Sequence, residues 1–274
     1  MDKLGAIIQQ FPMREFHCEA CGKPIKVSSG CLAFEEHPEC KEKLEAIRLE
    51  ERARQAKEQR REHNEKRMES WKQRSRFPVD FARKTFQAFK GSAQNDKSVK
   101  LIQSWQIGDD FGFLLIGPSG SGKSHLAFSF LHQVAEQVLA RLDGYAPLPV
   151  YYPVAELLAE IKRNNFEIPE RALLPVPLVL DDLGTENITE WSREILYRIF
   201  DHRLAHRFPT IVTTNLSIVE LKERLHERIV SRILGLCIPL TITGRDHRRD
   251  EIAERYRQIA ARAGIDLNVK EVAV

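Results

Sequence analysis

The chain has 274 residues, 42% hydrophobic and 30% charged, with a net charge of +3, which suits a main domain with a core plus a smaller appendage. No apolar run is long enough to span a bilayer, and the N-terminus lacks the basic, apolar and small-residue pattern of an export signal. Nothing here suggests a membrane-embedded or secreted protein, the expected location is cytoplasmic, and the mild basicity permits nucleic-acid contact without requiring it.

A short helix is expected from Leu4 to Phe11. Four of the five cysteines then fall between Cys18 and Cys40, and such clustering in a non-secreted chain points to metal before disulfides. Cys18-Glu19-Ala20-Cys21-Gly22 is a knuckle that aims two thiolates at one ion. His37-Pro38-Glu39-Cys40 supplies two more ligands, so the expected Zn²⁺ set is Cys18, Cys21, His37 and Cys40. Cys31 could replace His37, or could be a buried hairpin thiol. The segment is too short to fold without a staple, and it shows neither an open coordination position nor a general base. It reads as structural, a docking device for protein or DNA.

From Lys41 to about Arg74 the sequence is nearly free of Gly and Pro and rich in helix formers. Apolar residues are sparse: Leu44, Ile47, Leu49, Ala53, Ala56, Met68 and Trp71. Interleaved Glu, Lys and Arg fit a solvated linker helix supported by surface ion pairs better than a nucleic-acid-binding face. Arg76-Phe77-Pro78 should end the helix, and the domain boundary is expected there.

Phe81 to Phe89 is an aromatic lead-in whose rings could flank a base or pack as core, followed by a helix over about Asp96 to Gln106. Phe113-Leu114-Leu115-Ile116 is an apolar strand that runs into Gly117-Pro118-Ser119-Gly120-Ser121-Gly122-Lys123-Ser124-His125. This is the Gly, four residues, Gly-Lys-Ser pattern of a phosphate-binding loop. Glycines let successive N–H groups turn inward, Lys123 places a charge on the terminal phosphates, and the Ser124 hydroxyl can ligate Mg²⁺. The helix from Lys123 to about Leu139 aims its positive end at the same phosphates.

Val150-Tyr151-Tyr152 reads as a strand and Val154 to Asn164 as an amphipathic helix. Val176-Pro177-Leu178-Val179-Leu180-Asp181-Asp182-Leu183-Gly184 is a buried parallel strand delivering carboxylates to its C-terminal end. Asp181 is suited to hold Mg²⁺ through water, and Asp182 to polarise the attacking water. Glu186 could add a carboxylate or lie on a surface loop. A helix over about Thr189 to His206 precedes the strand Thr210 to Asn215, where Asn215 could position the lytic water or cap the next turn. Arg224 leads into Glu227-Arg228-Ile229-Val230-Ser231-Arg232, with Arg228 and Arg232 on one helical face. They could pair with local acids or reach a neighbouring subunit's γ-phosphate. Pro239 to Ile242 is a last strand, and Gly244-Arg245-Asp246-His247-Arg248-Arg249 opens a charged helix.

In this order, these motifs resemble AAA+ ATPases of the bacterial helicase-loader type (the DnaC/DnaI family), related to replication initiators and to transposition ATPases of the IstB kind. The resemblance covers about Pro78 to Arg249. It implies an α/β fold, a P-loop three-layer sandwich with a parallel sheet, preceded by the zinc module and the helical connector. The implied domains are 1–40, zinc-binding; 41–76, connector; 77–255, ATPase; and 256–274, a C-terminal helix or tail. By resemblance Lys123 and Ser124 are the Walker A pair, Asp181 and Asp182 the Walker B pair, Asn215 sensor 1, Arg232 the arginine finger with Arg228 beside it, and Arg248 a sensor-2-like arginine. The second Walker B acid is Asp where many AAA+ enzymes have Glu, and its shorter reach leaves the rate of hydrolysis open; the resemblance to loaders implies slow, switch-like hydrolysis. The implied cofactors are ATP, Mg²⁺ and Zn²⁺. The implied partners are a replicative hexameric helicase, single-stranded DNA and further copies of the chain, and no membrane. Two other functions fit the loop: an IstB-like helper that binds duplex DNA and recruits a transposase, and a small-molecule kinase.

Overall fold

The computed structural model describes residues 13–17, 22–28, 38–75, 77–141, 146–164, 167–185, 188–244, 246–263 and 265. They divide into two compact units, residues 1–66 and 67–274. Among the described residues no helix is long and apolar enough to cross a membrane.

In the first unit, β1 (Met13–His17) and β2 (Pro24–Ser28) form an antiparallel hairpin that pairs Met13 with Ser28 and His17 with Pro24. The Cys18 to Cys21 knuckle falls between these strands in sequence, and Gly22 after it has φ +66°, a left-handed turn conformation that glycine adopts freely. Cys18, Cys21, Cys31 and His37 lie outside the described residues, as does the expected helix over Leu4 to Phe11. Helix α1 (Pro38–Arg74) holds Cys40 in its first turn and runs 37 residues. Its side chains from Glu45 to His63 are exposed, and pairs such as Arg61–Glu65 (3.1 Å) lie on its surface. Pairs this exposed add only tenths of a kcal/mol each.

The last two turns of α1 belong to the second unit, so the division between the compact units falls inside the helix. The cause is Trp71, which is 6% exposed. Its indole N–H donates to Pro149 O at 2.8 Å, and its ring meets Phe77 and Phe81 edge-on.

The second unit continues with α2 (Asp96–Ser104), β3 (Gly112–Ile116), α3 (Lys123–Arg141), β4 (Val150–Pro153), α4 (Val154–Arg163), α5 (Glu170–Leu173) and β5 (Leu178–Asp181). It ends with α6 (Glu190–Ala205), β6 (Thr210–Thr214), α7 (Ile218–Leu225), α8 (Glu227–Leu236), β7 (Cys237–Thr241) and α9 (His247–Ala263). The five strands form one parallel sheet in the order β4-β5-β6-β3-β7.

Side chains alternate between the faces of each strand, and the two faces build two cores. Leu114, Val150, Leu178, Leu180 and Val212 pack with α4, α6, α7 and α8. Phe113, Leu115, Tyr151, Val179 and Ile211 pack with α3, Ile102 and Trp71. The result is helix, sheet, helix. At the N-terminal edge of the sheet Arg203, 0% exposed, donates to Thr210 Oγ1 and to the carbonyls of Ala172, Leu174, Val176 and Pro209. It ties α5 and the entries of β5 and β6 to α6.

Candidate functional site

The site forms where β3, β5 and β6 end, since all three parallel strands deliver their C-termini to one edge. The loop after β3 can hold its path only with glycine. Gly120 and Gly122 have φ of +73° and +99°, which side chains other than glycine's resist. A Cβ on Gly122 would lie 2.6 Å from the Phe89 ring, and one on Gly117 2.0 Å from Ile242 O. Lys123, only 6% exposed, folds back over the loop. Its ammonium donates to Gly117 O and Pro118 O at 2.8 Å and to Asn215 Oδ1 at 2.7 Å.

Asp181 ends β5 and is 8% exposed. Its Oδ1 accepts from Ser124 Oγ (2.9 Å) and Thr213 Oγ1 (2.5 Å), and its Oδ2 from Tyr151 OH (3.2 Å). Burial first, and the Asp181 charge second, push the Tyr151 phenol well above the usual tyrosine range, so it stays a donor at any physiological pH. Asp182 turns out of the strand with φ +63°, a conformation that Asp tolerates better than most residues. The turn is pinned by its N–H on Thr213 Oγ1 (2.8 Å). The exposed Asp182 carboxylate accepts from Asn215 Nδ2 (3.0 Å) and Thr185 Oγ1 (3.2 Å).

Asn215 is positioned by the turn after it. Ser217 and Glu220 form a reciprocal capping box that starts α7, satisfying two of the free N–H groups at the helix N-terminus. The Ser217 contacts hold the Glu220 carboxyl below its usual range. Thr214 Oγ1, buried, donates to Leu183 O and accepts from Leu216 N. Arg224 closes the same corner, donating to Gly184 O at 2.7 Å.

The structure thus joins Lys123, Ser124, Asp181, Asp182 and Asn215 in one hydrogen-bonded network. Ser124 Oγ and the Asp181 carboxylate are hard oxygen donors side by side, the donor set that suits Mg²⁺. His125 points elsewhere. Its Nε2 meets Thr85 O at 2.8 Å and its ring meets Phe89 edge-on, which fastens the aromatic lead-in to the first turn of α3. Ser119 is exposed. Gly120 faces Asp246, since a Cβ there would lie 1.8 Å from Asp246 Oδ1.

Arg232 sits apart from this network, against α6. Its Nε meets Asp201 Oδ1 at 2.6 Å, it donates to Tyr197 OH and to Arg228 O, and its guanidinium lies 4.1 Å over the Tyr197 ring. Arg228, one turn earlier on α8, is exposed. Arg248 begins α9, and its side chain lies outside the described residues, as do Glu186 and the side chain of Cys40. Among the described residues no cluster of three or more His, Cys, Asp and Glu side chains could hold a metal.

Sequence reasoning gave no site role to Tyr151, Thr213 or Thr185. All three are hydroxyls on the Asp181–Asp182 corner. Thr213 had a local signal, as one of the buried threonines that end the strand Thr210–Thr214 just before Asn215. Tyr151 had none.

Comparison with known proteins adds the family. The IstB-like ATP binding protein family matches residues 31–253. The replicative helicase loader DnaI of Bacillus subtilis is 28% identical over 159 residues, 52% of this chain and 49% of that protein. The replicative helicase loader DnaC of Escherichia coli K12 is 27% identical over 133 residues, 46% of this chain and 51% of that one. The chain therefore spans about half the length of the curated relatives it matches. Among solved structures, the DnaC helicase loader superposes with a TM-score of 0.52 at 24% identity, covering 61% of this chain and 100% of that one. DnaI gives 0.51 at 23%, covering 62% and 94%. These two likenesses concern the fold.

Proposed function

The chain belongs to the IstB-like ATP binding protein family, and from that premise we propose that it is an ATP-dependent loader of a replicative hexameric helicase onto single-stranded DNA. ATP binding drives assembly and slow hydrolysis drives release. The reading is carried by the Lys123–Asn215–Asp182 chain of hydrogen bonds beside the Ser124–Asp181 pair. It is supported by the identity shared with two replicative helicase loaders.

Each residue has a role in this proposal. The loop from Gly117 to Ser124 wraps the phosphates with its N–H groups, and the N-terminus of α3 adds its dipole. Lys123 neutralises the terminal phosphates. Ser124 and Asp181 would hold Mg²⁺, Ser124 directly and Asp181 through water. Held there, Mg²⁺ would supply positive charge against the negative charge that develops in phosphoryl transfer. Asp182, steered by Thr185 and Asn215, accepts a hydrogen bond from the attacking water, and Asn215 fixes that water's approach. Arg232, with Arg228, completes the site of a neighbouring copy, where a guanidinium stabilises the transferred phosphoryl group. Arg248 would contact the phosphates from α9. The His125–Phe89 contact borders the space for the base. In the first unit Cys18, Cys21, His37 and Cys40 would hold Zn²⁺ in a module that docks the helicase.

The test is co-purification of the full chain with its host's replicative helicase, with and without ATP. A complex that forms with ATP, and is lost in Lys123→Ala or on deletion of residues 1–76, is expected; no complex with the intact chain sinks the proposal. A second reading, a transposition helper that binds duplex DNA and recruits a transposase, is favoured by the family match itself. Preference for duplex over single-stranded DNA, with no helicase bound, would select it.

A further inference from the structure

We infer that Tyr151 is a positioning residue for Asp181, fixing the plane of the carboxylate that serves the metal; the inference rests on the ATPase reading above. Tyr151 is the second residue of β4 and pairs with Val179 of β5. It therefore shares a sheet face with Phe113, Leu115, Val179 and Ile211, the face that α3 covers and from which Ser124 approaches Asp181. The ring is 7% exposed and wedged between Phe128, at 5.0 Å, and Phe77, at 5.6 Å. Its hydroxyl donates to Asp181 Oδ2 at 3.2 Å.

Three hydroxyls from three elements hold this carboxylate: Ser124 of α3 and Thr213 of β6 on Oδ1, and Tyr151 of β4 on Oδ2. In the proposed site the Ser124 oxygen turns to the cation, which leaves Thr213 and Tyr151. Thr213 alone grips one oxygen, and a carboxylate held by one oxygen still rotates about its Cβ–Cγ bond. The phenol on the second oxygen removes that rotation. An outer-sphere ligand must present its lone pairs to water molecules already ordered around the ion, so orientation matters more than the small loss of acceptor strength to the phenol. A core strand position asks only for an apolar ring, and phenylalanine would satisfy it. A buried hydroxyl needs a partner, and here the partner is the metal carboxylate.

The experiment titrates Mg²⁺ into the full chain with a fluorescent ATP analogue and compares Tyr151→Phe, Tyr152→Phe and Asp181→Asn with the wild type. Tyr151→Phe keeps the ring and should raise the Mg²⁺ concentration for half-maximal binding about tenfold or more, the scale of losing one hydrogen bond to a charged group. Binding in EDTA should stay within about twofold, and Tyr152→Phe should behave as wild type. If Asp181→Asn raises the Mg²⁺ requirement while Tyr151→Phe does not, the inference fails and the ATPase reading stands. If Asp181→Asn itself leaves the requirement unchanged, the metal role of Asp181 falls, and this inference with it. Should Tyr151→Phe melt early, each protein is compared with itself, by the rise in melting temperature when Mg²⁺ and ATP replace EDTA. A rise equal to the wild type's overturns the inference; a smaller one supports it.

Discussion

Arg232→Ala separates two effects that differ greatly in size. In the single chain the guanidinium has local partners, Asp201 at 2.6 Å and the Tyr197 ring at 4.1 Å. The Arg232 side chain is 24% exposed and that of Asp201 50%, so solvent screens the pair. An exposed ion pair is worth about 0.5–1 kcal/mol, and a partly exposed cation–π contact about the same. Removal should therefore lower stability by about 1–2 kcal/mol, or roughly 2–4 °C in Tm for each kcal/mol. If the same guanidinium completes a neighbour's site, its loss should slow hydrolysis about a thousandfold or more while each monomer still binds ATP. Phosphate release, nucleotide binding and thermal melting on one preparation give the three numbers. Mixing Arg232→Ala with Asp182→Asn adds a sharper test. Each should be nearly inactive alone, but a mixed interface can pair an intact arginine with an intact acid and should recover part of the rate. Full hydrolysis by Arg232→Ala, or no recovery on mixing, would refute the shared site.

The loop, the core and the helix ends each carry a further expectation. Gly122→Ala forces a side chain onto φ +99° and into the Phe89 ring; ATP binding should fall at least about tenfold, and wild-type affinity by calorimetry would contradict the loop geometry. Arg203→Met strips the guanidinium from Thr210 Oγ1 and four carbonyls, of which Leu174 O and Pro209 O keep a backbone N–H while Ala172 O and Val176 O lose their buried Arg203 donor, and should cost about 3 kcal/mol or more in denaturant unfolding; a loss below about 1 kcal/mol would show that water replaces the guanidinium. A chain beginning at Arg67 should be more stable than one beginning at Phe77 by about 3 kcal/mol, the scale of losing a buried Trp side chain, because only the former keeps Trp71. His132 is held neutral, since burial pulls its imidazole below the ordinary 6.5, outweighing the bond to Phe81 O. The unfolded chain then takes up its proton first as pH falls, so this contribution is whole above about 6.5 and is lost as pH drops through the folded-state value. His132→Asn should flatten the dependence of stability on pH there, and an unchanged slope would exclude His132 as its source.

Legibility in the sequence divides by distance along the chain. The apolar runs of β3, β5 and β6, the glycines between Gly117 and Gly122 and the polar residues ending β5 and β6 are local patterns, and they are enough to imply an α/β sheet. Trp71 shows the opposite case. It looked like one more sparse apolar residue on a charged helix, since its partner Pro149 is 78 residues away; only the spacing of Met68 and Trp71, three apart, hinted at a buried face. Arg203 continues the apolar stripe of Ile195, Leu196, Ile199 and Phe200 on α6. A charge at the next step of such a stripe is a sign of buried carbonyls, legible once the stripe is trusted. Tyr151 was beyond reach, because its role depends on β4 lying beside β5 in one register, and no local pattern states strand order.

Strand order also explains the form of the site. β6 lies between β3 and β5, so the loop strand and the acid strand are not neighbours, and β6 mediates between them. Thr213 and Asn215, two residues apart and so on the same side of an extended chain, make the connection. Thr213 grips Asp181 and pins Asp182, while Asn215 accepts a hydrogen bond from Lys123 and donates one to Asp182. An ammonium has three protons, and Gly117 O, Pro118 O and Asn215 Oδ1 accept from it at 2.7–2.8 Å. A phosphate oxygen that binds Lys123 must displace at least one of the three. If it displaces Asn215, the amide is freed to turn with its bond to Asp182 intact, and the acid moves with it. In the proposed ATPase, arrival of the terminal phosphate would then be registered at Asp182, through one side chain and without a change in fold.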